Sequence, residues 1–168
     1  MKTTIRFTLI TLFGFMLLNC NNDDSDIDPT RNSKEWYVAE FPEAKAEVEA
    51  TFMAVLQSLK DGDIDKLISF HAYGPKFTEF KNGEPRNGGE ENEAYERQVF
   101  GAVTEVVKLE ANNLLVAAYG EVANLTFHSD FHLKFGEDLV IVNDQITLLF
   151  VKTNDGWKMV HEHHAPLN

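Results

Sequence analysis

The sequence predicts an α+β domain, with three helices early in the chain packed on one face of a curved β-sheet built by the second half. Three observations predict it. Apolar residues recur at helical spacing between residues 42 and 101. From Thr104 the period falls to two. Turn signals at Asn82-Gly83, Gly136-Glu137-Asp138 and Asn154-Asp155-Gly156 cut the later chain into successive strands. Helices that precede the strands, rather than alternate with them, favour segregated layers.

The first helix rests on Val48, Phe52, Val55, Leu56 and Leu59, which fall on one face. Pro42 suits its first turn and Asp61-Gly62 its end. Asp63 then caps a short second helix, with Ile64, Leu67, Ile68 and His71 on one side, until Gly74-Pro75 breaks it. Residues 76–81 read as a short strand that turns at Asn82-Gly83. Gly88-Gly89 precedes a third helix over 90–101, with Tyr95 and Val99 inward and the GGEENEAYER run as its polar face. Strands follow over 104–111, 121–135, 139–152 and 157–164. In 121–135, Ala123, Leu125, Phe127, Phe131, Leu133 and Phe135 share one face, and His128, Asp130 and His132 lie on the other.

The chain has 168 residues, 43% of them hydrophobic, which suits one domain with a real core. One Cys excludes a disulfide scaffold. Asp and Glu number 27 against 15 Lys and Arg, a formal charge of −12. That balance argues against nucleic acid, which is held mainly by Lys and Arg on phosphates. Residues 1–19 have a basic start at Lys2 and Arg6 and an uncharged apolar run over 7–18. The run is too short to span a bilayer, which takes about 20 residues, and fits a secretory signal. It ends at Leu17-Leu18-Asn19-Cys20, which resembles a bacterial lipobox, although Asn19 departs from the small residue usual there. The resemblance implies lipidation of Cys20 after removal of residues 1–19. The other readings are an ordinary secretory signal, or a core helix with a chance Cys. Residues 20–34 are polar, acidic and aperiodic, as expected of a flexible tether. The expected address is the bacterial cell envelope, at the outer membrane, with surface display the further step an acidic tether suggests. Residues 35–168 form the expected domain.

Four local strings carry a family resemblance: Gly62-Asp63-Ile64 before a short helix with Leu67 and Phe70; residues 77–80 followed by Asn82-Gly83; Gly89 at the third helix; and the closing run Gly156-Trp157-Lys158-Met159-Val160-His161-Glu162-His163. In this order, over residues 43–165, they resemble the NTF2-like superfamily, in its SnoaL-like and DUF4440-like region. The resemblance implies a cone: a strongly curved, mainly antiparallel sheet wrapped around three N-terminal helices, open at one end to a pocket, and often dimeric through the outer sheet face. Members range from isomerases and cyclases to interaction modules, so fold alone decides no function. The ketosteroid isomerases need an acidic donor on the first helix and a carboxylate base on the first strand. The resemblance puts those positions at Val55 and Phe80, neither of which moves a proton.

Hairpin pairing supplies the candidate site. Three-residue turns at 136–138 and 154–156 set Leu125 opposite Leu149, Phe127 opposite Thr147, and Thr147 opposite His163. One face then holds Ala123, Leu125, Phe127, Thr147, Leu149, Met159, His161 and His163, and is read as the helix and pocket side. Ile146, Leu148, Phe150, Glu162 and His164 fall on the other, which suits a dimer interface. A slip of one residue would exchange the two sets. Tyr73, Phe77, Tyr95 and Trp157 are expected at the pocket mouth with Thr147, giving an aromatic wall for a small apolar molecule. His161 and His163 are the candidate catalytic pair, with His163 suited to a general base. They can also simply finish the core. Two His at i and i+2 can chelate a metal with His71 or Glu162 as third ligand, but the same alternation turns Glu162 away. No metal and no cofactor are expected. The sequence lacks a phosphate loop, G-x-S-x-G and a Cys/His zinc motif. The expected role is a membrane-anchored binding or accessory module without catalysis. The alternatives are a cofactor-free cyclase, lyase or isomerase using a pocket His, or a protein-interaction module that dimerises through the sheet.

Overall fold

A computed structural model describes residues 37–167. The signal, Cys20 and tether assignments fall outside the described residues. Helix α1 (Pro42–Asp61) buries Val48, Phe52, Val55 and Leu56, the face its spacing predicts. Gly62 ends it at φ 66°, a left-handed conformation that costs glycine nothing. Asp63 caps α2 (Ile64–Ile68) by accepting the Lys66 N–H at 2.9 Å. Strands β1 (Thr78–Lys81) and β2 (Glu84–Asn87) form a hairpin, and α3 (Gly89–Gly101) follows. The rest is sheet: β3 (Glu105–Tyr119), β4 (Val122–Phe135), β5 (Asp138–Val142), β6 (Asp144–Thr153) and β7 (Gly156–Pro166). Among the described residues, no helix is long and apolar enough to cross a membrane.

The seven strands make one mixed sheet in the order β2-β1-β7-β6-β4-β3. Among the described strands only the β1–β7 pairing is parallel, and the isolated His71–Met159 bridge runs the same way. Strand β4 is long enough to hold β6 on its first half and β5 on its second. Residues 139–152 were expected as one strand and are two. Ser129, 2% exposed, makes the division: its hydroxyl donates to the Val142 carbonyl and accepts the Asp144 N–H, each at 2.9 Å. Strand β3 runs past its expected end at 111, with register shifts at Val106/Lys108 and Asn112/Leu115. Asn113, at φ 55°, takes the left-handed turn of the second shift.

The face assignment is corrected. The turn after β4 has two residues, because Phe135 pairs with Asp138. Leu125 therefore faces Leu148 rather than Leu149, and Phe127 faces Ile146 rather than Thr147. The pairing of β6 with β7 is as expected at the site, with Thr147 opposite His163 and Leu149 opposite His161. One residue lost at this turn turns β6 over relative to β4, and with it His161 to His164 of β7. The turn after β6 also has two residues rather than three, since Thr153 pairs with Gly156, and a register shift at Leu149/Phe150 keeps Trp157 and Met159 inward with Glu162. Phe127, Ile146, Leu148, Phe150 and Glu162 are buried together on the helix side, with Trp157 and Met159. Thr147, His161 and His163 stand on the outer face.

Candidate functional site

Beside the apolar core, a group of polar side chains from four elements gathers on the inner face. The chain after α2 lies along β7, where the Ala72 N–H donates to the Met159 carbonyl at 2.8 Å and the Met159 N–H to the Phe70 carbonyl at 2.9 Å. This sets His71 beside the strand that carries Glu162 and His164. Gly89 brings α3 against the same segment: a Cβ there would lie 2.4 Å from Gly74 N and from the Tyr73 carbonyl carbon. The close approach places Glu96 of α3 over His71. The inward side chain of β1 is Glu79, 5% exposed.

His71 Nδ1 lies 3.1 Å from the Leu67 carbonyl, which can only accept, so Nδ1 carries a proton. Nε2 lies 2.9 Å from Glu162 Oε1 and 3.7 Å from Glu96 Oε2. The other Glu162 oxygen is 3.0 Å from His164 Nε2. These side chains are nearly closed to solvent: His71 is 1% exposed, Glu162 8% and Glu96 13%. Tyr73 stacks flat on the His71 ring at 4.8 Å, and Phe77 meets Tyr73 edge-on at 4.8 Å. At the border, Arg86 lies 3.3 Å from Glu79 Oε2 and 3.5 Å over the centre of the Tyr95 ring. Asn92 fixes the α3 entrance by donating to the Gly88 carbonyl at 2.8 Å. The Tyr73 hydroxyl faces Glu96, yet neither it nor Glu96 Oε2 completes a hydrogen bond, and His164 Nδ1 has no partner either.

Three carboxylates in so little water perturb one another. Burial, then the Glu162 charge, pushes Glu96 up to about 8. Burial also opposes charge on Glu162, but the His164 and His71 hydrogen bonds outweigh it and hold that carboxyl well below its usual range. Burial opposes the His71 cation too; the Glu162 hydrogen bond and charge prevail, and the net direction is upward. Glu79 is raised by burial and by Glu162 against the pull of Arg86. Tyr73 is raised by burial and by the Glu96 and Glu162 charges.

Of the expected lining, Tyr73 and Phe77 belong to this cluster, and Tyr95 flanks it through Arg86. Trp157 is buried elsewhere, its indole N–H donating to Glu47 of α1 at 2.7 Å. His161 is 2.8 Å from the Thr78 hydroxyl, and His163 is exposed. Both pack edge-on against Phe80, 45% exposed on the outer face. The inward roles expected of His161, His163 and Thr147 fail with the register that predicted them. His128, Asp130 and His132 lie on the outer side, where Asp130 pairs with Lys108 and His132.

A family profile described as a SnoaL-like domain matches residues 48–167. The chain belongs to the SnoaL-like family. Solved structures of NTF2-like proteins share its fold. A candidate dehydratase of the NTF2-like family from Streptomyces avermitilis superposes with a TM-score of 0.67 at 19% identity, covering 75% of this chain and 97% of that one. An NTF2-like protein of unknown function from Pseudomonas putida gives 0.64 at 21% identity over 77% and 92% of the two chains. A candidate aromatic ring hydroxylase from Novosphingobium aromaticivorans gives 0.66 at 17% identity over 77% and 93%. No curated protein matches the sequence. Within the SnoaL-like fold, the carboxylate position that the isomerase resemblance assigned to Phe80 looks outward. The acid that looks inward from that strand is its neighbour, Glu79.

Sequence reasoning missed Glu79, Glu96 and His164, and considered His71 and Glu162 only as third ligands to the wrong pair. The available signal was the alternation itself: Glu162 and His164 share the face of Ile146 and Leu148.

Proposed function

We propose that this SnoaL-like domain binds a small organic molecule with a polar head at the cluster of His71, Tyr73, Glu96, Glu162 and His164. One observation carries the reading: several buried polar atoms of the cluster, on Tyr73, Glu96 and His164, lack hydrogen-bond partners. A purely structural core rarely keeps such groups, because apolar residues of similar volume are usually no less stable. Aromatic walls from Tyr73 and Phe77 with a few convergent polar groups suit a small-molecule site. Native mass spectrometry of the full chain, extracted gently, tests this. A bound organic mass that is lost in Tyr73→Phe or Glu96→Gln is the expected result. Its absence, with no thermal shift across a panel of hydroxylated and keto ring compounds, ends the reading.

Glu79 favours a second reading, in which the domain turns the molecule over by cofactor-free proton transfer. It is the carboxylate that β1 sends inward, next to the Arg86 pair. Glu79→Gln would then remove turnover while leaving ligand affinity within about threefold, a split that mere binding does not predict.

The domain is held at the bacterial envelope through lipid on Cys20, with residues 20–34 as its tether. Cys20→Ser is expected to move the chain from the membrane fraction to the soluble one. A second copy is the expected partner across the outer sheet face, where Phe80 and Leu115 are exposed. Sedimentation of the full chain in detergent should give a dimer that Leu115→Glu dissociates.

A further inference from the structure

We infer that His71, Glu96 and Glu162 form a binding site for a divalent first-row metal ion. Because His71 Nδ1 gives its proton to the Leu67 carbonyl, Nε2 of the neutral ring offers a lone pair. That lone pair meets Glu162 Oε1 at 2.9 Å and Glu96 Oε2 at 3.7 Å. In their deprotonated forms all three atoms are acceptors, and they lie within 4.8 Å of one another. Three acceptors turned to one point require a positive centre between them. A proton on Nε2, a proton on Glu96 or a metal ion supplies one there.

Geometry favours the metal. Imidazole nitrogen and carboxylate oxygen bind zinc at about 2.0–2.2 Å, which sets neighbouring donor atoms roughly 3–3.5 Å apart. The two distances at Nε2 bracket that spacing. A proton on Nε2 would serve Glu162 and leave Glu96 Oε2 as it stands, buried and without a hydrogen bond. The ligands are also held from behind, as metal ligands usually are. The Leu67 carbonyl fixes the His71 tautomer, and His164 Nε2 holds the second Glu162 oxygen at 3.0 Å. Imidazole with two carboxylates suits zinc or manganese. Three protein ligands leave a coordination position open, and the Tyr73 hydroxyl stands beside Glu96 to meet what fills it. Among the described residues, no other group of three His, Cys, Asp or Glu converges in this way. The outer-face pair His161 and His163 does not.

The test uses the full chain, stripped with chelator and titrated with zinc alone against a chromophoric competitor. One zinc per chain is expected. Glu96→Gln, equal in volume, should abolish stoichiometric uptake. His164→Gln, which only loosens Glu162, should weaken affinity about 10–100-fold. His163→Gln on the outer face should bind as the parent does. Far-UV circular dichroism confirms that each variant is folded, and a misfolded Glu96→Gln is replaced by His71→Gln. No stoichiometric uptake by the parent would overturn the site and leave a proton at that point. Uptake unchanged in both Glu96→Gln and His71→Gln, or lost in His163→Gln, would place any ion elsewhere and overturn it as well. The organic ligand is read from copurified mass and zinc from the stripped chain, so either can fail without the other.

Discussion

Gly89 has no room for a side chain. The backbone of Tyr73 and Gly74 occupies the place of its Cβ, and backbone cannot swing aside as a lysine tip can. Gly89→Ala is expected to cost about 1–3 kcal/mol, as overpacking does, and urea denaturation would read it. The same change should loosen Glu96 from His71, because α3 and the Tyr73 segment would have to part. Glu47 makes a second prediction at this scale. It binds the Trp157 indole and pairs with Lys152, and those two hydrogen bonds, Lys152 first, hold its carboxyl below the usual range. A depressed carboxyl keeps its contact above the unfolded value and loses it as pH falls through the folded one. In a Trp36→Phe background, Trp157 emission should therefore stay level as pH falls through the ordinary glutamate range and change only below it. Glu47→Gln should remove that step.

At the scale of the element, α1 and α2 were legible, while the inner face of α3, where Asn92 and Glu96 interrupt a run read as its polar face, and the turns after β4 and β6 were not. The α1 face, its Gly62 stop and the Asp63 cap follow from local patterns that no distant contact overrides. The turn after β4 is different. Gly136-Glu137-Asp138 admits a loop of two residues or three, and side-chain alternation within β6 is equally regular on either face. Leu148 and Leu149 are both leucine, and Phe150 next to Thr147 gives no clear vote. Packing against α1 decides, since it draws Ile146, Leu148 and Phe150 inward. The site was misplaced by this one turn, which put His161 and His163 where Glu162 and His164 belong. The division of β5 from β6 was hidden for a related reason: it depends on Ser129, which lies on another strand. Ser129→Ala would leave the Asp144 N–H and the Val142 carbonyl short of a partner, at a cost of about 1–3 kcal/mol. Hydrogen exchange at Asp144 should quicken by more than that at Leu148, four residues further along β6. Equal protection at both would mean that the serine does not hold the break.

On the scale of the whole molecule, the sheet divides into a part made early in the chain and a part made late. The β1–β2 hairpin comes before α3, and β3 to β6 come after it. Strand β7 lies between these parts, pairing in parallel with β1 and antiparallel with β6. It is the last described strand in sequence, yet it is interior in space. Thr78 must find His161, and His71 must find Met159, across more than half the described chain. Such distant pairings raise contact order and slow folding. A nascent chain therefore carries an open seam along β1 and β6 until residues 156–166 arrive to close it. Cutting the chain before Gly156 should leave a species that binds hydrophobic dyes and aggregates, rather than a smaller stable domain. Closure of the seam also brings Glu162 to His71, so the chain acquires its site at the moment it completes its sheet.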